Sequence, residues 1–239
     1  MKYIYGPVKS RRLGLSLGIS LTPYKICNFD CIYCQLGQTF KKTEARREYT
    51  RIEDILEELK NWIESNPAEL KKLKYITLSG SGEPTLNIKI GSLISRIKKM
   101  TFVPVAVITN ASLLHYPQAR HALLGAELIV PSLDAATTSI FKKIDRPFKG
   151  IKLQKIIDGL MVLRKEFSGK IWLEIMLVKG INDDARQIKK LKEIADKINP
   201  DKIQLNSPVR TTAVPGILPL ERKELEKIRK IFGEKAEII

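Results

Sequence analysis

The stretch "CNFDCIYC" at residues 27–34 holds every cysteine of this 239-residue chain: Cys27, Cys31 and Cys34. Three thiols packed into eight residues cannot staple distant parts of a fold, and their odd number leaves one over, so a disulfide framework is not expected. A metal site or a reactive thiol is the better starting idea. Structural zinc takes four protein ligands, and the two histidines, His115 and His121, lie far downstream with no further cysteine to help. An iron–sulfur cube is normally held by four thiolates, whereas this loop offers three at the spacing C-x3-C-x2-C. One iron would stay open to bind a substrate or cofactor directly, which makes the site reactive rather than structural.

The composition around the loop is that of a soluble globular protein, 44% hydrophobic with 14 Gly and 12 Pro, long enough for a large core. No run of about 18 apolar residues occurs, and the opening "MKYIYGPVKSRRLG" has no apolar signal core, so no membrane partner is expected and the expected location is the cytoplasm. The formal charge is +16, and it is uneven. Residues 1–51 carry ten Lys and Arg against three acids, a local excess of +7. A polyanionic substrate or partner over that segment is one reading; a Lys-rich solvated surface is the other.

Beyond the cysteines, apolar runs of strand length alternate with segments of helical period. The runs are "LSLGISL" (15–21), "KYITLSG" (74–80), "PVAVITN" (104–110), "ELIVPSLD" (127–134), "KIWLEIMLV" (170–178) and "DKIQLNS" (201–207). Between them, "RIEDILEELKNWIES" (51–65) puts Ile52, Ile55, Leu56, Leu59 and Ile63 on one face, with Thr50 and Glu53 spaced as a capping box. Further helices are expected near 88–99, 115–123, 151–166 and 184–198, with a last one opened by Pro219. Continuous apolar strands alternating with helices are what a parallel sheet covered on both faces requires. Six βα units in a chain shorter than the usual eight-unit barrel predict an α/β fold, a partial (β/α)6 barrel of parallel strands. The chain reads as one domain over 1–239, with a core over about 15–233 and a short N-terminal extension at 1–14.

Chemistry in such folds gathers where strands end and helices begin. The polar oddities fall there: the cysteines after the first strand, "SGSGEPT" after the second, "TNAS" after the third, "PSLDAA" at the end of the fourth, "VKGIND" after the fifth and "QLNSPVR" closing the sixth.

With Tyr33 before the last cysteine, "CNFDCIYC" resembles the signature of the radical S-adenosylmethionine (SAM) enzymes. The run from Gly6 to Thr39, with "LNSPVR", looks most like a small single-cluster branch related to the wyosine-type tRNA enzymes. The resemblance implies that Cys27, Cys31 and Cys34 hold a [4Fe-4S] cluster whose open iron is chelated by SAM, and that reduction splits SAM into methionine and a 5′-deoxyadenosyl radical. Gly80, Ser81, Gly82 and Glu83 resemble the Gly-Gly-Glu-Pro loop whose backbone meets the SAM amino group, with Ser81 standing for the first glycine and Gly82 permitting close approach. Asn110, Ser132 and Asp134 match positions that hold the ribose and carboxylate of SAM; Tyr33, Glu174 and Met176 are expected to face it. Arg11, Arg12, Arg46, Arg47, Gln204, Asn206 and Arg210 are candidates for the substrate.

The branch implies tRNA modification, or modification of another nucleotide substrate, with an electron donor such as a flavodoxin or ferredoxin. An activating enzyme that places a radical on a partner protein substrate is the alternative. A non-catalytic iron–sulfur protein is a third. The cysteine count excludes chemistries that need auxiliary clusters, and a dinucleotide-binding G-x-G-x-x-G fails because Thr85 stands where its third glycine should be.

Overall fold

The computed structural model describes residues 1–239. An eight-stranded sheet runs in strict chain order: β1 (Ile4–Ser10), β2 (Gly14–Ser20), β3 (Tyr75–Ser79), β4 (Val105–Thr109), β5 (Leu128–Pro131), β6 (Lys170–Met176), β7 (Lys202–Asn206) and β8 (Ala236–Ile238). β1 pairs antiparallel with β2, and every later pair is parallel. Parallel neighbours need crossover connections, which helices supply here: α1 (Ile52–Ser65), α2 (Pro67–Leu70), α3 (Ile90–Met100), α4 (Pro117–His121), α5 (Thr138–Ile144), α6 (Leu153–Glu166), α7 (Ala185–Ile198) and α8 (Arg222–Phe232). The α/β partial barrel expected from the strand and helix periods is therefore present, with its six strands as β2 to β7. No helix is long and apolar enough to cross a membrane.

Alternation along each strand sorts the two faces of the sheet. Leu17, Ile19, Ile76, Leu78, Val107, Ile129, Leu173, Ile175, Ile203 and Leu205 join the helices in one core of 52 buried residues. Ala106, Leu128 and Val130 point the other way and meet Leu13, Tyr75, Ile108 and Trp172 in a small separate cluster. That inner face is otherwise polar, with Ser16, Thr77, Glu174, Gln204 and Asn206 all buried.

Several expectations are corrected. The capping box at Thr50 and Glu53 does not form: Arg51 is the N-cap of α1 without a side-chain bond, and Glu48 accepts from the Ile52 N–H instead. The α1 face also buries Trp62, while Ile63 packs against the core half-buried. The last helix is opened by Glu221, in a reciprocal capping box with Glu224, not by Pro219. The segment 1–14 is not a mere extension, because β1 and its turn pair with β2, and at the other end β8 lies beyond residue 233.

The β1–β2 turn corrects a further expectation. β1 and β8 are the two free edges of the sheet, so the barrel is open between them. Arg11 and Arg12 stand at that turn and reach across the opening. Arg11 donates to the Asn206 Oδ1 at 3.2 Å and to the Ile239 carbonyl at 3.2 Å. Arg12 makes a two-pronged pair with Glu174, at 2.7 and 2.5 Å, and its own carbonyl accepts from Gln204 at 3.3 Å. Both guanidinium groups thus bridge the seam of the sheet; Arg12 is drawn inside it, whereas Arg11 stays exposed.

Glu174 is 4% exposed and Arg12 26%, so removing the arginine leaves an uncompensated buried carboxylate. Arg12→Ala is expected to cost roughly 3 kcal/mol in urea unfolding. Arg12→Met combined with Glu174→Leu should recover most of that loss, and a double variant as unstable as the single one would show that packing, not charge, is at stake.

Candidate cluster and cofactor site

The three cysteines stand in the loop that leaves β2, and the residues between them are its anchors. Phe29 and Ile32 are buried in the core, and the Phe29 ring meets Phe141 of α5 edge-on at 5.5 Å. The Asp30 and Ile32 N–H groups donate to the Asp145 and Ile144 carbonyls at the end of α5, at 3.0 and 2.9 Å. Asn28 donates to the Ser112 hydroxyl at 2.7 Å. Asn28, Phe29, Asp30 and Ile32 therefore hold the loop down, and the three thiols between and beside them are free and half-buried.

Burial pushes the Cys27 thiol up to about 12, with Glu83 adding to it, and drives Cys31 well above the ordinary thiol range, with Asp145 adding to it. Without a positive partner these thiols stay protonated. Two of the three sulfurs meet N–H donors: Phe29 N at 3.4 Å and Asn110 Nδ2 at 3.7 Å from Cys27, and Lys25 Nζ at 3.0 Å from Cys34, while Cys31 meets the Asp145 carboxylate. No three His, Cys, Asp or Glu side chains stand close enough to hold one metal ion. Three thiolates around a polynuclear cluster stand further apart than ligands of a single ion, and N–H donors are the neighbours that anionic sulfurs take. The donor set fits an iron–sulfur cluster.

The loop after β3 lies directly behind. Gly80 has φ +100°, a left-handed conformation that favours glycine. The Ser81 carbonyl accepts from the Lys25 N–H at 2.6 Å, and the Ile26 carbonyl accepts from Glu83 N at 3.0 Å. A Cβ on Gly82 would stand 1.9 Å from that Ile26 oxygen. The close approach that Gly82 permits is thus to this chain's own cysteine loop. The Glu83 carboxylate is 2% exposed and accepts from Thr85 N and Oγ1, from the Thr109 hydroxyl and from Asn110 N, at 2.5 to 3.1 Å. Burial raises its pKa, and these bonds oppose the rise.

Phe29 and Tyr33 of the cysteine loop, with Asn110, Ser132, Asp134 and Asp145, help line a small, partly open recess. Asn110 also donates to the Asn28 Oδ1 at 2.8 Å. The Ser132 backbone bridges to Glu174 on β6. Asp134 accepts from the Tyr33 hydroxyl and, at 2.8 Å, from the Met176 N–H; burial lifts its pKa to about 7 against these two bonds. Met176 takes part through its backbone, while its side chain joins the core. Glu174 faces Arg12 and Asn206.

Asp145 is a member that sequence reading missed: it accepts from the Cys31 thiol at 3.4 Å, and burial and Asp134 raise its pKa well above the carboxylate range. The order "KKIDRP" resembles an ordinary helix end, and only the folded loop brings that end to Cys31.

The remaining substrate candidates scatter. Arg46 donates to the Thr85 carbonyl at 3.0 Å, whereas the exposed Arg47 lies over the Tyr49 ring at 4.6 Å. Arg210 is exposed and donates to Gln35 at 2.9 Å. Gln204 and Asn206 are buried on the inner face, bonded to Glu237 and Glu174.

A partial parallel barrel with a three-cysteine loop on the rim that carries its strand ends defines a class of enzyme. The chain belongs to the Radical SAM superfamily, whose family model matches residues 21–191. It is 36% identical over 98% of its length to a UPF0026 protein of Methanocaldococcus jannaschii, of which it covers 72%. It is 42% identical over 97% of its length to a protein named GTPase Obg from Brachyspira hyodysenteriae, and spans only 33% of that longer chain. Among solved structures, TYW1 with a lysine-pyruvate adduct bound superposes with a TM-score of 0.67 at 22% identity, over 92% of this chain and 74% of that one. Membership implies SAM and an iron–sulfur cluster as cofactors.

Gly82→Ala is expected to push the Ile26 carbonyl, and with it Cys27, out of place. Iron retained after anaerobic reconstitution should then fall together with SAM affinity. Full iron with weakened SAM binding would show instead that the glycine serves the cofactor directly.

Proposed function

We propose that Cys27, Cys31 and Cys34 hold a [4Fe-4S] cluster and that SAM occupies the recess between them and Asp134. Reductive cleavage of SAM there supplies a 5′-deoxyadenosyl radical that removes a hydrogen atom from substrate. The observation that carries this reading is the set of three thiols in one loop, anchored by the residues between them and with N–H donors on Cys27 and Cys34, beside a recess lined by Tyr33, Asn110, Ser132 and Asp134. Asn110 and Asp134 serve as orienting groups for SAM, and the apolar wall of Phe29 and Phe141 limits water at the reacting centre. The loop Gly80–Glu83 holds the cysteine segment in register while offering its backbone to the SAM methionyl group. An electron donor such as a flavodoxin or ferredoxin reduces the cluster.

Each of Cys27→Ala, Cys31→Ala and Cys34→Ala should abolish both the iron–sulfur absorbance and the release of 5′-deoxyadenosine under dithionite. A triple variant that retained both would sink the assignment, as would zinc without iron in anaerobically prepared protein.

For the substrate we propose tRNA or another nucleotide, approaching the rim over the basic first 51 residues. Support comes from the local excess of +7 and from the exposed Arg47 and Arg210. Arg12 is withdrawn from that surface by its pair with Glu174, so fewer phosphates are met than the sequence total suggests. tRNA affinity should fall with salt at a log–log slope of about −0.9 per duplex phosphate contacted and about −0.7 per single-stranded one. Arg47→Glu with Arg210→Glu should reduce affinity and slope while leaving SAM cleavage intact. Salt-insensitive binding, or none at moderate salt, would favour the alternative of a partner protein that receives the radical.

A further inference from the structure

Lys25 is an outlier in three respects. It is 9% exposed, it has a left-handed backbone with φ +59°, and no carboxylate stands within 4.0 Å of its amino group. Lysine is almost never fully buried unless paired, and a non-glycine residue in the left-handed region carries backbone strain that the surroundings must sustain. Here they do so through a backbone bond, Lys25 N to the Ser81 carbonyl at 2.6 Å. The side chain then ends on a sulfur, with Nζ 3.0 Å from Cys34 Sγ and no other hydrogen-bond partner. A buried cation without a counter-ion, aimed at one thiol of three, is explained by negative charge at the sulfurs.

We propose that Lys25 is a positioning residue for redox poise: its charge, held against Cys34, raises the reduction potential of the cluster bound by the three cysteines. The inference rests on the cluster reading above. Reduction adds one negative charge to a cluster ligated by thiolates, and both a nearby cation and an N–H···S bond favour the more negative state. The other two N–H contacts, from Phe29 N and Asn110 Nδ2, are neutral and longer, at 3.4 and 3.7 Å, and both go to Cys27. Lys25 is therefore the one charged donor among them.

The test is an EPR-monitored redox titration of the reconstituted full chain, with iron counted in the same samples. Lys25→Met should lower the reduced fraction at a fixed applied potential by about tenfold in ratio, which for one electron is about 59 mV toward the negative. Lys25→Arg should restore most of it. Lys25→Gln, neutral but able to donate, separates charge from hydrogen bonding and also serves if Lys25→Met fails to fold.

An unchanged potential in a neutral variant with full iron would overturn the proposal. So would SAM affinity lost at constant potential, which would make Lys25 a ligand of the SAM carboxylate. If neither neutral variant holds iron while Lys25→Arg does, the residue is needed for retention, and the tuning role is overturned as well. Failure of the parent protein to give any cluster signal would instead strike the cysteine assignment itself.

Discussion

The Glu83 carboxylate has almost no water to face, and the arrangement of the rim depends on how it is satisfied. Burying an ionisable group without partners is costly, so its position is viable only where donors converge. They come from two strand ends: Thr85 from its own loop after β3, and Thr109 with Asn110 from the end of β4. One side chain thereby fixes the spacing of two loops that no backbone ladder connects. Asn110, held through its N–H, turns its amide toward Asn28 and Cys27, while Glu83 N and Gly82 brace the Ile26 carbonyl. Cysteine loop, recess wall and sheet are tied through this point.

The second constraint lies at the opposite, open side of the sheet. A partial barrel has two free edges, and exposed edges invite pairing with other chains. This chain bridges its gap with charge instead of strands: Arg11 and Arg12 extend from the β1–β2 turn to β6, β7 and the residue after β8. Glu174 is shared between Arg12 and Asn206, so each partner of the carboxylate is itself held by another bond. Such a network is worthwhile only when complete.

The sequence made the fold readable because a parallel sheet writes itself as apolar runs, and the six runs became β2 to β7 within a residue or two at most ends. The antiparallel β1 is not legible in the sequence because its connection, "RRL", lacks the Asn-Gly or Asp-Gly signal of a tight hairpin. β8 was too short to stand out. At the site, the cysteines stand out by spacing alone, because the spacing of side chains within one loop is a local feature of the sequence. Orientation is not. Nothing in "SRRLG" tells that Arg12 turns inward to Glu174, and nothing in "SGEP" tells whether the glycine yields to a ligand or to Ile26.

Charge shows the same division between what composition records and what folding decides. The sum of +16 counts Arg12 and Arg47 alike, yet one is locked to Glu174 inside the barrel and the other lies exposed over a tyrosine ring. Lys42 is drawn off too, donating to the Arg146 carbonyl at 2.8 Å. A basic first segment therefore does two kinds of work. Part of its charge builds the interior, where low polarity makes each interaction strong and each missing partner costly, and part remains at the surface, where salt screens it. The interior share follows from the opening of the barrel: a sheet that does not close on itself leaves polar inner-face side chains to be satisfied, and cations carried in by an edge hairpin satisfy them.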